Sequence, residues 1–468
     1  MWTAVACLLA VLGLRQVAAF PLTGDQTVLP PGTDLNEEAF ARPTEVFHSE
    51  ARGGFKSYMV DLGDLAFNSP TVLGGPARAA GMSCGTCHVN GAGNPRLYVP
   101  GMSTRPGNFD TTGPLFNPKA HNGMLDPVRI PSLRGARFLA PYGNDGRIAS
   151  LREFIRNVIV NEFSGPEPSP AVLDAMVAYV EDIDFLPNLS LDSAGRLTSR
   201  SNMAERRGEA IFARPFPHDP TMSCATCHIP SGAFVDHKQH NVESGGLFKT
   251  PTLLNADFNA PYFHDGRFDT FDQVVSHFDK VFDLNLTPQD HADLVAYLTA
   301  VGDGLQPIER DGVTARLKEI NDFASVLEIA IPSRDLAVID LAVTTIGQEL
   351  RDLVEQFPDR RDAAVTGGLQ ERLAARAALK DSVIRFRHIG TAAAAGRFDE
   401  AEAEFMTYRK MSVAALPVLL ATAQPWSLFN PKIHYAHYTA LRQLLEQAGR
   451  LPRRAAAAPS TTTLAVTR

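Results

Sequence analysis

Met82-Ser83-Cys84-Gly85-Thr86-Cys87-His88 and Met222-Ser223-Cys224-Ala225-Thr226-Cys227-His228 are the two stretches whose reading decides the fold. Both contain C-x-x-C-H, the attachment signature of c-type haem. Two thiols three positions apart can each form a thioether to one porphyrin vinyl group. The adjacent histidine then lies beneath the iron as its proximal ligand. Zinc and redox C-x-x-C sites share the cysteine spacing but do not need a histidine at that position. Two copies in one shared frame point to two covalent c-type haems, one on Cys84, Cys87 and His88, the other on Cys224, Cys227 and His228.

The rest of the composition fits this reading. Of five cysteines, only Cys7 lies outside the two motifs, so no thiol is left for a structural disulfide or a catalytic nucleophile. Ala4 to Leu14 is a short apolar run followed by Val17-Ala18-Ala19, a small-residue cleavage pattern that makes Phe20 the first mature residue. The run is too short to span a bilayer. No Lys or Arg precedes it, and the competing reading is an uncleaved membrane anchor. Because c-type haem is attached outside the cytoplasm, the expected location is the periplasm, with no membrane-spanning segment after signal cleavage. A net charge of −8 and the lack of a long basic run argue against a nucleic-acid partner. A mildly acidic surface would suit a basic electron donor, and it is equally what a soluble protein needs.

The motifs are the centre of a longer duplication. Gly63-Asp64-Leu-Ala-Phe67 recurs as Gly208-Glu209-Ala-Ile-Phe212. After the motifs, His121-Asn122 is matched with His240-Asn241, and Ile130-Pro131-Ser132-Leu133 with Thr250-Pro251-Thr252-Leu253. Ala140-Pro141-Tyr142-Gly-Asn144-Asp145-Gly146-Arg147 then answers Ala260-Pro261-Tyr262-Phe-His264-Asp265-Gly266-Arg267, and Val177-Ala178-Tyr179 answers Val295-Ala296-Tyr297. Ser169-Pro170 and Thr287-Pro288 each pair an N-cap hydroxyl with proline at the first helical position. Strand signals are weak. The expected fold class is mainly α: two tandem cytochrome c-type haem domains followed by a helical bundle extension.

This order of landmarks resembles the bacterial di-haem cytochrome c peroxidase and MauG-like family over about residues 60 to 303. The most specific stretch is Phe248-Lys-Thr-Pro251-Thr-Leu-Leu-Asn255, running on to Pro261-Tyr-Phe-His-Asp-Gly-Arg267. The resemblance implies two covalently bound c-type haems, one accepting electrons and one reducing hydrogen peroxide. It also implies a redox partner such as a small cytochrome c or cupredoxin, and Ca2+ as an accessory ion. In that family the electron-transfer haem takes its distal ligand from the helix after the Asp-Gly-Arg loop. His277 lies within one position of that place, whereas the first repeat has Asn157 at the matching position. His277 is therefore read as a sixth iron ligand of the second haem, the alternative being a histidine satisfied at the haem edge or domain interface. His240 and its assigned counterpart His121 suggest a shared role in bonding to propionates or backbone. Met102, Met124 and Met176 are candidate ligands of the first haem, with Met176 expected in the core.

Peroxide cleavage also needs a general acid–base group and a charge near the distal oxygen. The loop of the first repeat offers Tyr142 and Asn144, with Glu153 or Glu162 downstream; Glu153 is the candidate catalytic residue, against a solvated position on a surface helix. Arg147 and Arg267 are candidate cofactor-binding residues, either clamping propionates or pairing with the adjacent Asp145 and Asp265. One departure from the family is that the only tryptophans are Trp2 and Trp426, so none lies between the motifs. The expected function is a periplasmic di-haem cytochrome that transfers electrons, with a peroxidase-like oxidoreductase activity. The alternatives are a di-haem electron carrier or haem sensor docking a partner, and MauG-like oxidation of a partner protein.

After Gly304 the pattern changes. Leu317, Ile320, Ala324, Leu327 and Ile331, then Leu336, Ile339, Val343, Ile346, Leu350, Leu353 and Phe357, follow helical spacing. These form the core of a bundle or, alternatively, a partner zipper. Further helical runs cover Leu369 to Ile389, Phe398 to Met411 and His434 to Gln447. The expected organisation is a signal peptide (1–19), a lead segment (20–59), a first cytochrome domain (60–190), a second (195–303), a C-terminal helical domain (305–451) and a disordered tail (452–468).

Overall fold

The computed structural model describes residues 29–36, 41–117, 119, 121–359 and 364–447. The signal peptide, Cys7 and the tail assigned from the sequence lie outside the described residues.

The chain is mainly helical, and its strands are two or three residues long. A lead strand β1 (Ala41–Pro43) precedes the first repeat: α1 (Tyr58–Phe67), the Cys84–Cys87 turn, a hairpin of β2 (Asn108–Phe109) and β3 (Val128–Arg129), α2 (Leu151–Asn157) and α3 (Pro170–Asp182). The second repeat has the same order: α4 (Met203–Phe212), the Cys224–Cys227 turn, β4 (Gln239–His240) with β5 (Phe248–Lys249), α5 (Phe271–Phe282) and α6 (Pro288–Gly302). β6 (Ile308–Arg310) returns to pair antiparallel with β1. It leads into α7 (Val313–Ser325), α8 (Leu336–Glu355), α9 (Leu369–Ala394), α10 (Phe398–Val413), α11 (Ala415–Ala423) and α12 (Pro431–Gln447).

Local chemistry sets the helix starts. Ser169 and Thr287 accept from the backbone N–H of Val172 and Asp290, with proline at the next position, as their sequence pattern predicts. Asn202 and Thr270 close reciprocal boxes with Glu205 and Gln273.

Within each repeat the first and last helices cross at a glycine. A Cβ on Gly63 would lie 2.0 Å from the carbonyl oxygen of Ala175, and one on Gly208 would lie 2.0 Å from that of Asp293. The absence of a side chain lets α1 meet α3, and α4 meet α6, backbone to backbone. One turn further on, Phe67 meets Tyr179 with ring centroids 5.1 Å apart, and Phe212 meets Tyr297 at 5.0 Å. The duplicated Gly-x-x-x-Phe and Tyr landmarks are thus the two sides of one helix crossing.

The hairpin registers correct one correspondence read from the sequence. Phe109 opposes Val128 in the first repeat, and His240 opposes Phe248 in the second. The residue in the place of His240 is therefore Phe109, whereas His121 is exposed in the connection between β2 and β3. The β2–β3 connection is longer than its counterpart, and that length difference displaced the sequence alignment.

The helices after β6 pack on the first repeat. Leu62, Leu65 and Ala175 share one core with residues from α7 to α11. A buried hydrogen bond of 2.7 Å joins Thr345 Oγ1 on α8 to Ser69 Oγ. The heptad-like seam is core: Leu317, Ile320, Ala324, Ile339, Ile346, Leu350 and Phe357 are buried, although Leu336 is half exposed. Two buried arginines of α9 hold the α8–α9 connection. Arg376 donates to the carbonyls of Val354 and Phe357, and Arg372 to that of Val365.

Candidate functional site

The two Cys-x-x-Cys-His turns have the same construction. Each is one turn of helix, and in each the threonine hydroxyl accepts from the backbone N–H of the preceding serine: Ser83 to Thr86 at 3.0 Å and Ser223 to Thr226 at 2.9 Å. This bond explains the wider Ser-Cys-x-Thr-Cys frame. The backbone N–H of His88 and of His228 donates to the carbonyl of the first cysteine, at 2.9 Å in both turns.

The histidine rings are oriented by carbonyl acceptors. His88 Nδ1 donates to Pro131 O at 2.9 Å, and His228 Nδ1 donates to Phe234 O at 3.1 Å. A carbonyl can only accept, so each ring carries its proton on Nδ1 and presents a bare Nε2 lone pair. Burial pushes the His88 imidazole down to about 4 and lowers that of His228. Burial also pushes the Cys84, Cys87 and Cys224 thiols up to about 12. Behind the rings, Phe67 and Phe212 lie 6.3 Å and 6.4 Å from His88 and His228.

The donor set fits haem. Each turn offers two neutral thiols for vinyl addition and one imidazole fixed in the ligating tautomer. A second observation agrees. Arg134 is 3 % exposed, and neither of its terminal guanidinium nitrogens has a hydrogen-bond partner among the described residues. It lies three residues after Pro131, the acceptor of His88, and burial lowers its pKa to about 10. A buried cation without a counter-ion is expensive, and a propionate carboxylate would satisfy it. Sequence reading passed over Arg134 because Leu254 stands at its position in the second repeat. That asymmetry was the available signal.

The other candidates fall as follows. Arg147 pairs with Asp145 at 3.0 Å and Glu162 at 2.8 Å, and Arg267 pairs with Asp265 at 2.7 Å, so of the two readings both arginines show the ion pair. Glu153 is exposed in the first turn of α2, its N–H capped by Ser150, and does not turn inward. Glu162 is half-buried and also accepts from Asn157 Nδ2 at 3.1 Å. His277 sits among Phe263, Phe268 and Phe278, and its Nε2 donates to Val242 O at 2.8 Å. That nitrogen is engaged with backbone, and the ring is half-buried among the three phenylalanines. Met102 and Met176 are buried in the core of the first repeat, and Met124 is exposed. Cys227, Asp236 and His240 form the one group among the described residues with metal-ligand spacing. One oxygen donor beside a thiol and an imidazole does not suit Ca2+, which takes oxygen ligands.

The repeats grip each other reciprocally. The backbone N–H of Arg129 donates to His264 O at 2.6 Å, and that of the matching Lys249 donates to Asn144 O at 3.0 Å. The Arg129 side chain reaches Asn259 O, and that of Lys249 reaches Leu139 O and Pro141 O. Asn108 donates to Asp265 O, and Gln239, its counterpart, to Asp145 O. Each hairpin thus docks on the Asp-Gly-Arg loop of the other repeat.

Paired Cys-x-x-Cys-His turns, each with a histidine whose Nε2 is free, fit the attachment of c-type haem. Residues 207–346 match the family model described as di-haem cytochrome c peroxidase. The chain is 24% identical over 326 residues to hydrazine synthase subunit gamma of Kuenenia stuttgartiensis, covering 57% of this chain and 83% of that one. It is 22% identical over 283 residues to cytochrome c551 peroxidase of Nitrosomonas europaea, covering 52% and 80%. It is 24% identical over 317 residues to methylamine utilization protein MauG of Methylorubrum extorquens, covering 55% and 82%. The chain is a relative of the di-haem cytochrome c peroxidase and MauG-like family, a class of oxidoreductases with two c-type haems. No helix among the described residues is long and apolar enough to cross a membrane.

Proposed function

We propose that this chain is a periplasmic di-haem cytochrome that reduces hydrogen peroxide with electrons from a small redox protein, such as a cytochrome c or cupredoxin. The observation that carries the reading is the duplicated turn, in which both histidines are fixed with Nδ1 on a carbonyl and Nε2 free. Cys84, Cys87 and His88 would hold the first haem, and Cys224, Cys227 and His228 the second. Arg134 would clamp a propionate of the first. Bound haems would supply redox-active iron, the first as the site of peroxide reduction and the second as the electron acceptor.

The residues do the rest. Pro131 and Phe234 fix the histidine tautomers. In the first repeat the loop from Tyr142 to Arg147 and the half-buried Glu162 place a carboxylate and a guanidinium together, the pair needed to move a proton and stabilise a departing oxygen. Glu162 replaces Glu153 in this role. The reciprocal hairpins hold the two haem sites relative to each other, and no tryptophan lies between the two motifs in the sequence.

Pyridine haemochrome assay is expected to give two haems per chain, and Cys227→Ala to lose covalent attachment at the second site. Stopped-flow mixing with peroxide and a reduced donor should then show turnover. Two haems that show no spectral response to peroxide would overturn the peroxidase reading and leave an electron carrier.

A further inference from the structure

The repeats differ most in what stands behind the tyrosine of their last helix. Tyr179 is fully buried and donates its hydroxyl to Glu45 Oε1 at 2.9 Å. Tyr297, at the matching place, makes no hydrogen bond through its hydroxyl among the described residues. Packing alone therefore does not call for the bond.

Glu45 belongs to the lead segment that β6 pins down through β1, and Glu319 of α7 faces it. Asp64 of α1, Lys56 and Asp322 complete the charged surroundings, with Lys56 Nζ 3.6 Å from Asp64 and 3.3 Å from Asp61. Burial raises the pKa of Glu45 and lifts that of Asp64 well above the carboxylate range. A carboxylate here takes up a proton more readily than one in water. On the other side, Phe67 is the single ring between Tyr179 and His88.

We propose that Tyr179 is a redox-active residue of the first repeat and that Glu45 is its proton acceptor. The inference rests on the peroxidase reading, which supplies the oxidant. Tyr179 gives one electron to the haem of its own repeat after peroxide has oxidised that haem. As the electron leaves, the phenolic O–H bond breaks and its proton passes to Glu45 Oε1. The products are a neutral tyrosyl radical, a neutral carboxylic acid and a haem reduced by one electron. Proton transfer keeps a bare positive charge from being stranded in a buried site, where it would be costly. The first helix after β6 then bears on the chemistry through Glu319, whose charge favours the protonated form of Glu45.

The test is electron paramagnetic resonance of the full-length holoprotein, rapidly frozen after mixing with hydrogen peroxide, with and without ring-deuterated tyrosine. The expected result is an organic radical whose spectrum narrows on deuteration. Tyr179→Phe and Glu45→Gln should each lower its yield at least tenfold, and Tyr297→Phe should leave it unchanged. A tyrosyl signal undiminished in Tyr179→Phe, or an equal yield in Glu45→Gln, overturns the proposal. So does the absence of a tyrosyl signal while the haem absorbance responds to peroxide. If the haems do not respond, the peroxidase reading fails separately. A ruthenium photo-oxidant then supplies the oxidising equivalent, and the same variants decide on Tyr179.

Discussion

Lys249 in the second repeat donates its ammonium to the carbonyl of Pro141 in the first, 2.7 Å away, in a site where burial lowers the lysine pKa to about 8. An unfolded lysine titrates near 10.4. Between those values the unfolded chain holds a proton that the folded protein lacks, so stability rises with pH across that window. Thermal denaturation of the wild type should show this rise between about pH 8 and 10. Lys249→Met should abolish it and, by leaving the Leu139 and Pro141 carbonyls unpaired, cost about 1–3 kcal/mol by urea titration at pH 8. An unchanged pH profile in the variant would show that the amine is solvated.

The glycine crossings make separable demands. Gly63→Ala should push α1 from α3 and Gly208→Ala should push α4 from α6, each costing about 1–3 kcal/mol or more. Mass spectrometry of haem-bearing peptides should find attachment impaired only in the repeat that carries the substitution. Equal loss at both sites would mean that the repeats fold as one unit.

Arg134→Leu copies the residue of the second repeat. With a propionate as partner, its loss removes a positive charge beside the first haem and should lower that haem's midpoint potential by on the order of tens of millivolts. A redox titration of Arg147→Ala should show a smaller shift, because Arg147 is half exposed and solvent screens its charge, whereas Arg134 is buried. A shift in Arg147→Ala alone would reverse the assignment.

His277→Ala discriminates between the two roles considered for that residue. Since Nε2 binds Val242, the substitution should loosen the 242–246 loop and leave the low-temperature spectrum of the second haem unchanged. Conversion of that haem from low to high spin would make His277 its axial ligand.

Much of this architecture is legible in the sequence, since covalent haem attachment and helix crossings both impose spacing. Ser169-Pro170, Thr287-Pro288 and the apolar seam from Leu317 to Phe357 specify their elements through local caps and period. What the sequence hid depends on side-chain direction. Glu153 and Glu162 look equivalent along the chain, yet only Glu162 turns in to Arg147. His121 and His240 share a dipeptide, yet the register pairs His240 with Phe109 because the intervening loops differ in length. Arg134 is marked in the sequence only by its contrast with Leu254, since no spacing records that its terminal nitrogens have no hydrogen-bond partner among the described residues. That Glu45 belongs with Tyr179 was equally invisible, because their contact depends on the chain folding a distant segment over both.

The matching bonds of Arg129 to His264 and Lys249 to Asn144, and of Asn108 to Asp265 and Gln239 to Asp145, mean that each half recognises the other with the same patch, as protomers of an isologous dimer do. Joining the two repeats in one chain makes their pairing independent of concentration. It also freed one half to diverge, because a bond broken on one side still has its mirror image on the other. The chain's asymmetry, with an extra helical mass leaning on only one twin, is the kind of specialisation that such redundancy permits.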